Sequence, residues 1–247
     1  MPQSVRRHIG IVACSAEGAA LCYRTICLEG TQLLGPHDHP QVSMHTHPLA
    51  DYMHHIERGD WTAVAQLMLS SARKLAAAGA EFLICPDNTI HQAFASVRAE
   101  SPLPWLHIAE VVADEAVRRG FRSVGVTGTR SLVESRVYSE AFAPRAIDCL
   151  APEQDERIEI DRIIFQQLVN AIFTAESRTH LQRVIAHLQQ RGASAVVLGC
   201  TELPLLIDDS SSPLPTLDST RLLARAALHR SLASDSVQVS TAATGKP

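Results

Sequence analysis

Two short stretches of this sequence could carry proton chemistry. "ICPDNTIHQ" (84–92) reads as a buried strand running into a loop, with Asp87, Asn88 and Thr89 at its tip. "LGCTELPLL" (198–206) has the same shape, with Cys200 at the tip. A thiol and a second acid–base group on opposite sides of a cleft could remove a proton from one face of a substrate and return one to the other. The partner of Cys200 is Asp87, or Cys85 two residues earlier, or the two stretches form no pair.

An internal repeat bears on that choice. With "AGAEFLICPDNT" (78–89) laid under "RGASAVVLGCTE" (191–202), Gly79 meets Gly192 and Asp87 meets Cys200. "PLPWLHI" (102–108) echoes "PLPTLDS" (213–219), and "HIGIVACS" (8–15) echoes "SVGVTGTR" (123–130). Three matches in one order predict two similar lobes facing each other. The repeat opposes Asp87, not Cys85, to Cys200. Cys85 then falls back on the strand, where a free thiol packs as a small hydrophobe.

The elements that must position these groups follow from periodicity. Short runs rich in Val and Ile ("IGIVAC", "QVSMH", "AEFLIC", "WLHIAE", "SVGVTG", "AVVLGC", "LPTLD") alternate with amphipathic stretches, several ending in glycine. That alternation predicts an α/β fold: two pseudo-symmetric Rossmann-like lobes, each a mostly parallel sheet flanked by helices, with the site in the cleft between them. The expected division is residues 1–113 plus 216–233 for the first lobe, 114–215 for the second, and a disordered polar tail at 234–247.

Composition narrows the function classes. Of 247 residues, 46% are hydrophobic and the formal net charge is −4, with no Lys/Arg cluster. This predicts neither a nucleic-acid nor a membrane partner. No apolar run approaches the roughly 18 residues of a membrane span, and the N-terminus lacks a signal-peptide layout. Six dispersed cysteines without CxxC pairs favour reduced thiols and a cytoplasmic setting. Six histidines crowd residues 37–55. His45 and His47 alternate on one face of a strand, a spacing a zinc site could use, but no third ligand is in evidence. The preferred reading places His47 on the substrate pocket, with no metal.

The chain resembles the aspartate/glutamate racemase superfamily over about residues 8–230. "IGIVACSAEGAALCYR", "AGAEFLICPDNTIH", "VGVTGTRSLVESRVY", "ERIEIDRIIFQQL" and, most specifically, "GASAVVLGCTELPLLI" carry the resemblance. It implies a cofactor-independent amino-acid racemase or epimerase with two opposed groups, usually both cysteines. It further implies a small amino-acid substrate and a homodimer. Cys200 matches the second cysteine, and Asp87 stands where the first would be. Asn88, Thr89 and His91 match an Asn-Thr-x-His stretch; Thr201 and Glu202 match the pair after the second cysteine; Ser15 and Thr129 match residues of the substrate loops. Ser, Thr and Asn at strand-to-helix junctions also cap helices in any α/β protein, so each has a second reading. The helix expected after Cys200 should lower its thiol pKa. Glu159 replaces a substrate-binding lysine of the family and Leu132 a threonine, so a neutral or basic substrate side chain enters consideration. Alternatively Glu159 is a solvated helix residue, with Arg157 or Arg162 supplying the charge. A single-cysteine decarboxylase of the same superfamily and an inactive small-molecule binding protein are the competing readings.

Overall fold

The computed structural model describes residues 6–233; the tail assigned to 234–247 lies outside them. In the first half, β1 (Ile9–Ala13), α1 (Ala16–Leu34), β2 (Val42–Thr46), α2 (Leu49–Ile56), α3 (Trp61–Ala77), β3 (Phe82–Ile84), α4 (Phe94–Glu100), β4 (Trp105–Leu106) and α5 (Ile108–Arg118) follow in order. In the second come β5 (Ser123–Thr127), α6 (Arg130–Val133), α7 (Val137–Phe142), β6 (Asp148–Leu150), α8 (Gln154–Gln166), α9 (Ala175–Gln190), β7 (Ala195–Leu198), α10 (Leu203–Leu206), β8 (Thr216–Asp218) and α11 (Ser219–Leu232). All strands are parallel, in two sheets of the same order, β2-β1-β3-β4 and β6-β5-β7-β8. The sequence repeat is therefore a repeat of topology.

Parallel strands covered on both faces must be apolar throughout, and β1, β3 and β7 are buried at every residue. The long helices begin at side-chain caps. Asp60, Thr174 and Asp218 accept from the backbone N–H three residues on, at 3.0–3.1 Å. Gly79 and Gly192 follow α3 and α9 with φ of 90° and 100°, a conformation glycine adopts without steric cost.

Three elements carry no clear signal in the sequence. α1 is built on small residues, including Gly18 and Gly30, which blur its apolar stripe. α11 scatters three arginines among its four leucines and its small residues. β6 is a three-residue edge strand whose Asp148 and Cys149 are exposed, so it has no buried run to read.

The lobe division differs from the expected one. Strand β8 pairs with β7 and belongs to the second sheet, not to the first lobe. The expected boundary at 113/114 falls inside α5, which packs Ala109, Val112, Ala113 and Ala116 into the second lobe's core. In exchange, α11 packs Leu223, Ala224 and Ala227 against Ile9, Ile11, Phe82 and Ile84 of the first. The PLP echoes mark the two handovers. Periodicity shows that a segment is buried but not which sheet buries it.

A histidine pair joins the first lobe to α5. The His91 ring donates from Nδ1 to the Asp87 carbonyl at 2.6 Å, and its Nε2 accepts from Ile108 N–H at 3.4 Å. His107 caps α5 by accepting from Ala109 and Glu110 N–H at 3.2 and 3.4 Å. The two rings meet edge to face, with centroids 4.6 Å apart. A ring nitrogen that accepts carries no proton, so both histidines are neutral. Burial depresses the His91 pKa to about 4 and that of His107 to about 2.

An unfolded chain protonates both near pH 6.5. Between that pH and about 4 the unfolded state therefore binds more protons than the folded one. The stability from this pair is fully present above about pH 6.5 and is lost as pH falls, at up to about 1.4 kcal/mol per pH unit for each histidine. Replacing His107→Asn keeps a capping oxygen but removes one titration. Urea midpoints measured near pH 7 and near pH 5 should fall further for the parent chain than for this variant. Equal falls would refute the assignment.

Candidate active site

Parallel strands of both sheets end at a common cleft, and their tips line a cavity of about 650 Å³. Cys14 and Ser15 follow β1, and Asp87, Asn88 and Thr89 follow β3. Thr129, Arg130 and Ser131 follow β5, while Gly199, Cys200, Thr201 and Glu202 follow β7. Asp87 and Cys200 thus share one cavity, as the repeat requires. Cys85 is fully buried in the first lobe's core and is absent from the cavity wall.

On the second-lobe side, the Cys200 thiol donates to Glu202 Oε2 at 2.9 Å and the Thr201 hydroxyl donates to the same oxygen at 2.8 Å. Ser15 Oγ lies 3.2 Å from Thr201 Oγ1, so the turn after β1 touches the second lobe. Gly18, one turn along α1, makes this approach possible. A Cβ there would lie 2.5 Å from Thr201 Cγ2 and 2.8 Å from the Pro86 carbonyl oxygen. The Cys200 thiol is pushed up well above its ordinary value, first by burial and then by the Glu202 charge. This reverses the expected lowering. α10 has only four residues, too short a dipole to offset a buried carboxylate.

On the first-lobe side, Asp87 Oδ1 accepts from Ile90 N–H at 3.1 Å. Burial raises the Asp87 pKa, while bonds from Ile90 and Cys14 oppose the rise. Both opposed groups therefore hold protons more tightly than they would in water.

The remaining expected residues divide. Ser15 and Thr129 line the cavity and also cap helices, accepting from Gly18 and Leu132 N–H at 3.2 Å each. Their two readings are compatible. Thr89 Oγ1 lies 3.0 Å from Thr129 Oγ1, across the lobe boundary. Asn88 reaches the cavity wall, but its amide is engaged by Ser219 at 3.0 Å and by Tyr138 at 2.6 Å, so it braces the turn. His91 sits behind the Asp87 turn, outside the wall. His47 bonds Ser70 of α3 at 3.2 Å, also off the wall, and His45 bonds Ser71 at 2.9 Å. Glu159 pairs with Arg162 one turn along α8, at 2.6 Å, and does not line the cavity. The side chains of His47 and Glu159 are held by helix residues, Ser70 and Arg162, contacts that strand position and family match do not show. Leu132 is buried beneath the Gly128 turn. No group of three or more potential metal ligands occurs among the described residues.

Several wall residues were not foreseen. Leu49, Met53 and Ile56 of the first lobe face Ile164, Phe165 and Val169 of the second. Around them stand Glu57, Glu134 and Asp161, with Arg130 as the single wall guanidinium. Cys14 was legible only as the residue before Ser15. A larger recess of about 840 Å³ lies behind His91, but its charges are paired, Arg98 with Glu110 at 3.6 Å and Arg136 with Glu140 at 3.2 Å.

Comparison with known proteins agrees with this geometry. The sequence profile described as Asp/Glu/Hydantoin racemase matches residues 11–227. The chain is 26% identical over 204 residues to the broad specificity amino-acid racemase RacX of Bacillus subtilis, covering 79% of this chain and 84% of that protein. A solved Yersinia pestis structure, with a provisional assignment as an Asp/Glu racemase, superposes with a TM-score of 0.85. It is 29% identical and is matched over 92% of this chain and 100% of its own. An aspartate racemase homologue from Pyrococcus horikoshii shares the fold, with a TM-score of 0.79 at 24% identity over 90% and 98% of the two chains. No helix among the described residues is long and apolar enough to cross a membrane. With its profile match spanning both lobes and its strand tips meeting in one cleft, the chain belongs to the Asp/Glu/Hydantoin racemase family, a family of isomerases.

Proposed function

We propose that this protein racemises or epimerises an amino acid at its α-carbon, with Asp87 and Cys200 as the opposed acid–base groups and no cofactor. The observation that carries the proposal is their presence on opposite lobes of a single cavity. A Cα–H beside a carboxylate is a very weak acid, so its removal requires a positioned base in a desolvated site. Burial raises the pKa of both groups, Asp87 and Cys200. A bound substrate ammonium adds the positive charge that favours their ionised forms. Hydroxyls of Ser15, Thr89 and Thr129, with backbone N–H groups at the strand tips, are the donors for the α-carboxylate and for the enolate charge that develops on it.

The side-chain preference follows from the wall and not from Glu159. Five carboxyl groups (Glu57, Asp87, Glu134, Asp161 and Glu202) face the cavity against one guanidinium, beside an apolar band. A second substrate carboxylate would meet like charge. Neutral and basic amino acids fit this wall better than aspartate or glutamate, in keeping with the broad specificity named for the Bacillus relative.

Three outcomes are expected. Cys200→Ala should lower kcat/KM for racemisation by about 10²-fold or more, while Cys85→Ala retains most activity; the reverse pattern, with both variants folded, would overturn the pairing. Asp87→Asn keeps the turn but cannot exchange protons, so it should stop racemisation. Cys200 would still exchange the α-proton of one enantiomer with deuterated water, as followed by NMR. Unimpaired racemisation by this variant removes Asp87 from the chemistry. Finally, a chiral-chromatography screen of all amino acids should show neutral or basic substrates exceeding aspartate and glutamate in kcat/KM by about tenfold, or about 1.4 kcal/mol. Activity confined to the two acidic amino acids would refute this preference.

A further inference from the structure

Cys14 is a cavity-lining thiol that the pairing of Asp87 with Cys200 leaves unused. Its place follows from strand register. β1 and β3 run parallel with Ile11 opposite Ile84; three residues further along each chain stand Cys14 and Asp87. Cys14 is 4% exposed and opens onto the same cavity wall as Ser15 and Asp87. The second lobe holds a comparable unit, with the Cys200 thiol 2.9 Å from Glu202 Oε2. Each side of the cleft therefore presents one thiol and one carboxyl group to the cavity.

We propose that Cys14 is the proton-carrying thiol of the first lobe and that Asp87 is its proton partner. This inference rests on the racemase reading above and deepens it. In the position that the repeat opposes to Cys200 the chain has a carboxylate, and the thiol has moved to the neighbouring strand tip.

The step balances as proton transfer alone. Asp87 takes the Cys14 proton, leaving a thiolate and a neutral carboxyl. The thiolate then removes the α-proton of one enantiomer: an S–H bond forms, the Cα–H bond breaks, and its electron pair moves into the substrate carboxylate as an enolate. The Cys200 thiol returns a proton to the opposite face and becomes a thiolate. In the other direction the roles exchange. Cys14 and Asp87 share burial, so together they hold at most one negative charge; Cys85 and Glu202 are the other titratable groups whose charges act on Cys14.

The test uses Cys14→Ser, which keeps shape but supplies a far weaker acid, and Cys14→Ala, with circular dichroism to confirm the fold. The readout is α-proton exchange of each enantiomer in deuterated water, with the parent chain's best substrate. The expected result is a one-sided loss of about 10²-fold or more, affecting the same enantiomer as Asp87→Asn, while exchange through Cys200 persists. Equal losses for both enantiomers, or exchange by Cys14→Ser within about twofold of the parent, overturn the inference and leave Asp87 as the direct base. An unaltered chain that exchanges no amino acid overturns the racemase reading itself and this inference with it.

Discussion

The Ser219 hydroxyl holds the two halves of the site in register. It donates to the Leu198 carbonyl at 2.9 Å and accepts from the Asn88 amide at 3.0 Å. Asn88 in turn accepts from the Tyr138 hydroxyl at 2.6 Å. Asp87 adjoins Asn88, and Cys200 lies two residues beyond Leu198. One buried chain of neutral hydrogen bonds therefore sets the separation of the two opposed groups. Such a network is rigid because each member would lose a buried partner if the lobes shifted. His91 adds a second brace, bonding the Asp87 carbonyl from behind.

Around that frame the site concentrates five carboxyl groups and one guanidinium, that of Arg130, which lies 4.0 Å from Glu134. Thr201 and Cys200 both donate to Glu202, and Ile90 donates to Asp87. These bonds satisfy the carboxylates but do not neutralise them. On the proposed reading, the α-ammonium of an amino-acid substrate brings further positive charge beside the Cys200 thiol.

The handover of helices between lobes supports the same geometry. Helix α5 leaves the first sheet and packs on the second, while α11 does the reverse. Neither lobe has a complete core without the other. A cleft built from two interlocked units keeps its opposed walls in place better than one hinged on a single linker. Ser219, at the start of α11, stands at one of these handovers.

Much was legible in the sequence because strand tips follow short, regular rules. A buried run that ends in a polar turn places that turn at the carboxyl edge of a parallel sheet. A repeat in fixed register opposes position 87 to position 200 without coordinates. The family follows from the same stretches. What the chain alone could not decide was anything set by a neighbour distant in sequence. The pKa of Cys200 depends on burial and on how the Glu202 carboxylate turns. Glu159 stands at a family position and His47 near a strand tip, yet a nearby arginine and a serine of α3 hold their side chains. Membership of β8 and α5 depended on which sheet lay closer, and periodicity encodes only that some sheet does. Cys14 became a candidate when β1 and β3 were paired in register, since 73 residues of chain separate it from Asp87. Local pattern determined the elements and their tips; only packing decided which side chains the tips share.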